Sequence, residues 1–201
     1  MLFNYACLLC QIAPALELGV CEFCYSILPF YNYNQENTKI YPIFYYQDPI
    51  KKLILDLKFK QKLIYADFLG KILATTIINK WYLNKSLPSA IIPVPLHIDR
   101  LRTRGFNQAF ELAKTISIIT KIKINNTACV RIKNTVNQIS LLKHKRNNNI
   151  NHAFLANKIL DPHIAILDDV VTTGSTIKAL CNAIVATNPN INIDVWCICR
   201  A

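Results

Sequence analysis

Acidic residues are scarce in this chain: 12 Asp and Glu stand against 23 Lys and Arg, a formal net charge of +11. A surface of that sign favours anionic partners such as phosphate esters or nucleic acid, without choosing between them. Glycine is scarce as well, at four residues. Neither G-x4-G-K-[ST] nor G-x-G-x-x-G occurs, which excludes the common mononucleotide loop and the dinucleotide turn. No apolar run is long and clean enough for a membrane span: the longest, around Tyr65 to Leu83, is interrupted by Asp67, Lys71, Asn79 and Lys80. Met1 to Cys10 lacks the positively charged start of a secretory signal and carries Asn4 and Tyr5 within its apolar stretch. A cytoplasmic protein is the expectation. No internal repeat is visible, and nothing in the chain specifies an oligomeric state.

What is present is 201 residues, 52% of them hydrophobic, enough for one real core plus a small appendage. Residues 1–40 hold half of the eight cysteines but no sustained helical or strand period, so they read as a cross-linked module. Residues 41–201 read as the main domain. From Pro49, the apolar positions Ile50, Leu53, Ile54 and Leu57, and then Ile64, Phe68, Leu69 and Ile72, predict two amphipathic helices with a break near Gln61. Lys51, Lys52, Lys58, Lys60 and Lys62 are expected in solvent.

Further on, Ala90 to Ile92 reads as a buried strand stopped by Pro93-Val94-Pro95. Gly105 to about Ile119 reads as a helix, Ala128 to Ile132 as a strand, and Lys133 to Asn151 as a polar excursion. His163 to Leu167, Thr176 to Ala186 and Ile191 to Ile198 then read as strand, helix and strand. Such alternation predicts an α/β domain with a largely parallel sheet flanked by helices, whose ligands bind at the carboxyl ends of strands.

Cys7-x2-Cys10 and Cys21-x2-Cys24 are paired knuckles, each able to bring two thiolates to one ion. Four sulfurs satisfy tetrahedral zinc and leave no open position, so a structural Zn2+ site is expected. It would supply folding free energy that a segment with so few core residues lacks. Another metal or cluster, two disulfides and a redox dithiol are the alternatives; a cytoplasmic location disfavours disulfides, and a dithiol explains only one pair. Cys129, Cys181, Cys197 and Cys199 are expected to be small buried hydrophobes.

Ile164 to Leu167 leads directly into Asp168-Asp169-Val170-Val171-Thr172-Thr173-Gly174-Ser175-Thr176. A strand delivers the two carboxylates to a sheet edge, where they can accept hydrogen bonds from vicinal sugar hydroxyls. Gly174 lets backbone amides approach an anion, and Thr172, Thr173, Ser175 and Thr176 add hydroxyl donors at the start of a helix. A simple helix cap would account for one or two of these residues only.

Ile166 to Thr176 resembles the phosphoribosyl-diphosphate signature of type I phosphoribosyltransferases, and the chain as a whole is similar to the ComF family of competence-associated proteins. The similarity is carried by both knuckles, by Ile92 to Leu96, by Arg102-Thr103-Arg104-Gly105-Phe106-Asn107-Gln108-Ala109, by Arg131 to Gln138 and by Arg146 to Phe154. It implies a phosphoribosyltransferase-like fold in which Asp168 and Asp169 contact ribose and Thr172 to Thr176 enclose the 5'-phosphate. The Pro93 to His97 turn would be the diphosphate-side loop, and Lys133 to Asn151 a mobile flap.

If transfer occurs, Mg2+ would accompany phosphoribosyl diphosphate while a nitrogen nucleophile attacks the anomeric carbon. Arg102, Arg104, Arg131, Lys133 and Arg146 are candidates for the diphosphate or the flap, and His97 a weaker one. Asn107, Gln108, Thr135 and Gln138 can orient either ligand or backbone. Two other readings stand beside the enzyme: a competence factor that associates with single-stranded DNA without turnover, and a phosphoribosyl-controlled protein that contacts other competence proteins. The aromatics Tyr31, Tyr33, Tyr41, Phe44, Tyr45 and Tyr46 read as packing between the cysteine module and the main domain rather than as base-stacking platforms.

Overall fold

A computed structural model describes residues 6–32, 39–133 and 153–201. Its centre is a five-stranded sheet in which every neighbouring pair is parallel. The strands are β1 (Ile40–Tyr45), β2 (Ala90–Pro93), β3 (Lys123–Ile124), β6 (His163–Val171) and β7 (Asn192–Arg200), in the spatial order β1-β7-β6-β2-β3. A separate antiparallel ribbon pairs β4 (Cys129–Arg131) with β5 (Phe154–Ala156). The helices are α1 (Glu22–Ser26), α2 (Ile50–Lys60), α3 (Ile64–Thr76), α4 (Ile98–Arg104), α5 (Gln108–Thr120) and α6 (Ser175–Thr187), and a π-helical turn over Ile77–Trp81 extends α3.

The apolar run of β6 explains the layering, because alternate side chains leave opposite faces of a strand. Ala165 and Leu167 enter one cluster with Leu57 of α2, Leu69 of α3 and Leu112 of α5. Ile164 and Ile166 enter the other, with Leu180 and Ile184 of α6 and Phe154 of β5. A sheet covered on both sides needs such a continuous hydrophobic strand, and each fully buried Ile or Leu contributes roughly 1.5–3 kcal/mol. Helix α2 ends where Gln61 turns left-handed at φ 54°, its N–H bonding the Asp56 carbonyl, which places α3 close behind it.

Several sequence expectations need correction. Gly105 does not start a helix: at φ 82° it closes α4, and Asn107 then caps α5 by accepting the Ala109 N–H at 3.0 Å. Glycine suits that left-handed corner, and α4 escaped notice because none of its residues is buried and its sequence therefore has no apolar face. The Cys129 strand belongs to the small ribbon; the main sheet's edge is instead β3, too short to show a period. Strand β1 was also unforeseen, and it brings the amino-terminal region onto the sheet beside β7. Finally, β6 continues to Val171, so Asp168 and Asp169 lie inside the strand's last turns of pleat rather than after it.

Candidate functional site

The two knuckles fold as turns around one point. Cys7 N–H bonds the Ala13 carbonyl, Leu8 N–H the Gly19 carbonyl, and Cys21 opens α1. The four sulfurs of Cys7, Cys10, Cys21 and Cys24 all lie within 4.8 Å of one another, with three of the residues buried. Burial and the neighbouring thiols push Cys24 up to about 12, a penalty that a bound cation removes by stabilising the thiolate. The set can hold a metal such as zinc, and its four-sulfur donor chemistry fits a closed structural site. Cys7, Cys21 and Cys24 share a core cluster with Leu28, Phe44 and Ile50, and Phe30 stacks on Phe44 at 4.9 Å and Tyr31 on Tyr45 at 4.7 Å. Tyr31, Phe44 and Tyr45 thus pack the module against the sheet, whereas Tyr41 stands against Trp81 and Tyr82 and Tyr46 lies under Lys51; Tyr33 lies outside the described residues.

A second constellation gathers at the carboxyl ends of β2 and β6. From β2 the chain runs through α4 and α5 to β3 on one side, whereas from β6 it runs through α6 to β7 on the other. The oppositely directed connections open a crevice between these adjacent strand ends, where parallel sheets place their ligands.

Asp168 and Asp169 sit on β6 at that crevice and are not equivalent. Asp169 is 3% exposed and faces the α2/α5 side. It forms an ion pair with Lys58 of α2 and accepts a hydrogen bond from Gln108 Nε2 at 3.2 Å. Burial works to raise its pKa, but the Lys58 ammonium and the Gln108 amide outweigh burial and hold the carboxylate below its usual range. Asp168, partly exposed on the opposite face, accepts the Asp169 backbone N–H at 2.9 Å. Burial, and then the charge of Asp169, push its carboxyl well above the usual range. The environments of the two adjacent acids thereby push their proton affinities in opposite directions.

The turn that follows is open. Thr172 and Thr173 are exposed, Gly174 takes φ 72°, and among the described residues, its own chain neighbours aside, no heavy atom lies within 4 Å of where a Cβ on Gly174 would stand. Thr173 Oγ1 and Ser175 Oγ lie 3.0 Å apart. Thr173 Oγ1 accepts the Ser175 N–H at 3.4 Å, and beyond that bond the start of α6 offers its remaining first-turn amides and the positive end of its dipole.

Basic groups surround the crevice unevenly. Arg104 donates to Gln108 Oε1 at 2.5 Å and lies over the Phe59 ring, linking it through Gln108 to Asp169. Arg131 lies over the Phe154 ring. Burial lowers the pKa of both guanidinium groups, opposed by Asp169 for Arg104 and by Asp168 for Arg131. Arg100 also lowers both by like-charge repulsion, which brings into the cluster an arginine that the sequence alone did not single out. Arg102 and Lys133 are exposed. Arg146, Thr135 and Gln138, with residues 134–151 of the expected flap, lie outside the described residues.

His97 caps α4: its Nδ1 accepts the Asp99 N–H at 3.3 Å, so it performs the structural task that competed with diphosphate contact. Asn107 donates to the Val94 carbonyl at 3.0 Å and orients the loop after β2.

Lys58 is the residue of the crevice that reading the sequence missed. Expected in solvent, its side chain is only 20% exposed. The signal was present in its spacing, eight residues after Ile50 and four after Ile54, at the margin of the apolar stripe of α2.

No protein-family model matches the chain. It is 33% identical over 157 residues to the DNA utilization protein YhgH of Escherichia coli O6:H1, covering 77% of this chain and 69% of that protein. It is 31% identical to the protein of the same name in Salmonella typhimurium over the same lengths. It is also 31% identical over 194 residues to Competence protein F of Haemophilus influenzae, covering 90% of this chain and 84% of that protein.

Proposed function

The chain belongs to the ComF family, and from that premise we propose that it binds phosphoribosyl diphosphate or a related phosphate ester in the crevice between β2 and β6, in the service of DNA utilization or competence. The observation carrying this reading is the meeting of a strand-end carboxyl pair with the hydroxyl-lined start of a 13-residue helix at the switch point of a parallel sheet. Sugar hydroxyls donate to the Asp168 and Asp169 carboxyls. The 5'-phosphate accepts from the amides and hydroxyls of Thr172, Thr173, Gly174, Ser175 and Thr176. Arg104 and Arg131, with Arg102, Lys133 and Arg146 as further candidates, attract the diphosphate. The four-cysteine cluster holds structural zinc.

Where transfer follows binding, a nitrogen nucleophile forms a bond to the anomeric carbon as the carbon–oxygen bond to diphosphate breaks. Diphosphate leaves with the electron pair, and the nitrogen then loses its proton to water. Positive character grows on the sugar, a charge that the carboxyl pair would stabilise. Mg2+ carried by the diphosphate would neutralise the leaving group. Calorimetry with phosphoribosyl diphosphate and Mg2+ tests the pocket. The parent should bind and the double variant Asp168→Asn, Asp169→Asn should lose most of the heat; a silent, fully metallated parent would overturn the reading. A panel of bases and amines screened for diphosphate release tests transfer, with the same double variant as control.

A second reading, association with single-stranded DNA, is favoured by the +11 charge and by the names of the relatives. Backbone contacts release counterions, so affinity should fall steeply with salt. Undetectable or salt-insensitive binding would remove it.

A further inference from the structure

Lys58 lies outside the signature on which the phosphoribosyl reading rests, yet its ammonium is the cation that meets Asp169. We propose that Lys58 is a built-in counter-ion of the crevice: it holds Asp169 so that a phosphorylated sugar binds without a divalent cation having to neutralise the protein's own carboxylates. The proposal deepens the phosphoribosyl reading and depends on it for the identity of the ligand.

Helix α2 itself supplies the contrast. Lys60 and Lys62 both pair with Asp56, at 2.7 and 3.1 Å, while staying 63% and 46% exposed. A lysine on the last turn of a surface helix can reach water easily on its flexible stem. Lys58 instead turns inward to the end of β6, where Asp169 is 4% exposed in its side chain. Packing gives no reason for this choice, because apolar residues of similar volume generally stabilise an interior at least as well as a buried ion pair. A reason exists if the carboxylate has to be present for a ligand and would repel that ligand when alone.

The surrounding contacts fit such a role. Gln108 donates to Asp169 Oδ1, and Arg104 donates to Gln108, so a second cation supports the first through one amide. Asp169 Oδ2 is buried against the Lys58 ammonium, so Lys58 fixes the charge of the carboxylate from inside the packed end of β6 while Gln108 holds its other oxygen. The buried Cys199 thiol is pushed up to about 12 by burial and then by Asp169, so it adds no charge. With Lys58 cancelling Asp169, and Asp168 favoured in its protonated form by burial and by Asp169, the acidic pair presents little net charge to an incoming polyanion. Lys58 is accordingly a positioning residue that acts through Asp169.

Calorimetry with phosphoribosyl diphosphate tests this in two zinc-replete buffers, one with Mg2+ and one free of it. The parent, Lys58→Met and Lys58→Arg are compared, with circular dichroism to verify folding. The parent and Lys58→Arg should bind in both buffers. Lys58→Met should bind near parent affinity with Mg2+ but lose roughly tenfold or more without it, as an uncompensated carboxylate would face the diphosphate. An equal loss in both buffers, or none in either, overturns the counter-ion role. Absence of parent binding in both buffers would sink the phosphoribosyl reading instead. The counter-ion role then stands or falls on the ligand-free protein, where 13C NMR of the Asp169 carboxyl should show a higher titration midpoint in Lys58→Met than in the parent. An unmoved midpoint refutes it, and Lys58→Gln serves the same comparison if the methionine variant does not fold.

Discussion

At the scale of single residues, the acidic pair shows how neighbouring positions of one strand acquire opposite properties. Asp168 has its folded pKa raised by burial and by Asp169, so it contributes stability that is complete below the unfolded carboxyl value, about 4, and is lost as pH rises through the folded one. Asp169 has a lowered folded pKa; its contribution is present above the unfolded value and lost as pH falls through the folded one. Urea midpoints for Asp168→Asn should therefore stay flatter than the parent's as pH rises from 4, and parallel curves would refute the raised carboxyl. A different buried network lies at the other end of β6 and β7. Asp194 accepts from Tyr82 at 2.6 Å, meets His163 Nε2 at 2.7 Å, and Trp196 donates to the Tyr82 hydroxyl at 3.1 Å. Burial and Asp194 both raise the Tyr82 pKa, so the hydroxyl keeps its proton and donates it. Asp194→Ala strips that donor of its acceptor and should cost about 1–3 kcal/mol in urea unfolding.

At the scale of elements, α3 and α5 approach closely because Gly70 has no side chain. A Cβ there would stand 2.8 Å from Thr115 Cβ and 3.3 Å from the Leu112 carbonyl. Gly70→Ala gains helix propensity but forces the helices apart, and overpacking of this kind costs roughly 1–3 kcal/mol. Denaturant titration should show a net loss; a gain would mean the pair yields more readily than its geometry indicates. The long elements were legible in the sequence because burial imposes a period on them. Ile50 to Leu57, Ile64 to Leu73 and Ile164 to Leu167 all fall where their patterns place them. Helix α4 and strand β3 were not legible. The first has no buried residue and the second is two residues long, so neither needs a pattern of its own. The ribbon strand Cys129–Arg131 has the composition of a sheet strand, and only its antiparallel partner Phe154–Ala156 removes it from the main sheet.

At the scale of the whole molecule, the cysteine module and the sheet share one hydrophobic cluster, from Cys7 and Val20 through Phe44 to Trp196. Removing metal with a strong chelator should therefore destabilise the molecule beyond the module, since a structural metal site contributes folding free energy directly. Melting before and after chelation, followed by both circular dichroism and Trp fluorescence, should give a common downward shift that returns with zinc. Cys24→Ser should reproduce the shift and resist rescue. A melting curve unaffected by chelation would show that the four sulfurs carry no structural metal. Among the described residues no helix is long and apolar enough to cross a membrane.

The amino-acid sequence alone determined the chemistry on offer: four thiols at knuckle spacing, two carboxyls at the end of an apolar run, and a hydroxyl-rich turn with glycine at its corner. These are local facts, because ligand spacing, strand hydrophobicity and a left-handed turn are written in contiguous residues. Only the tertiary structure decided that Lys58 and Gln108 would meet Asp169, that Arg100 would join Arg104 and Arg131, and that Asp168 and Asp169 would differ in proton affinity. Those outcomes depend on which helices cover which face of the sheet and on how completely water is excluded there. Both are properties of the packed molecule, since the environment that sets a charge is assembled from residues as far apart in the chain as 58, 108 and 169.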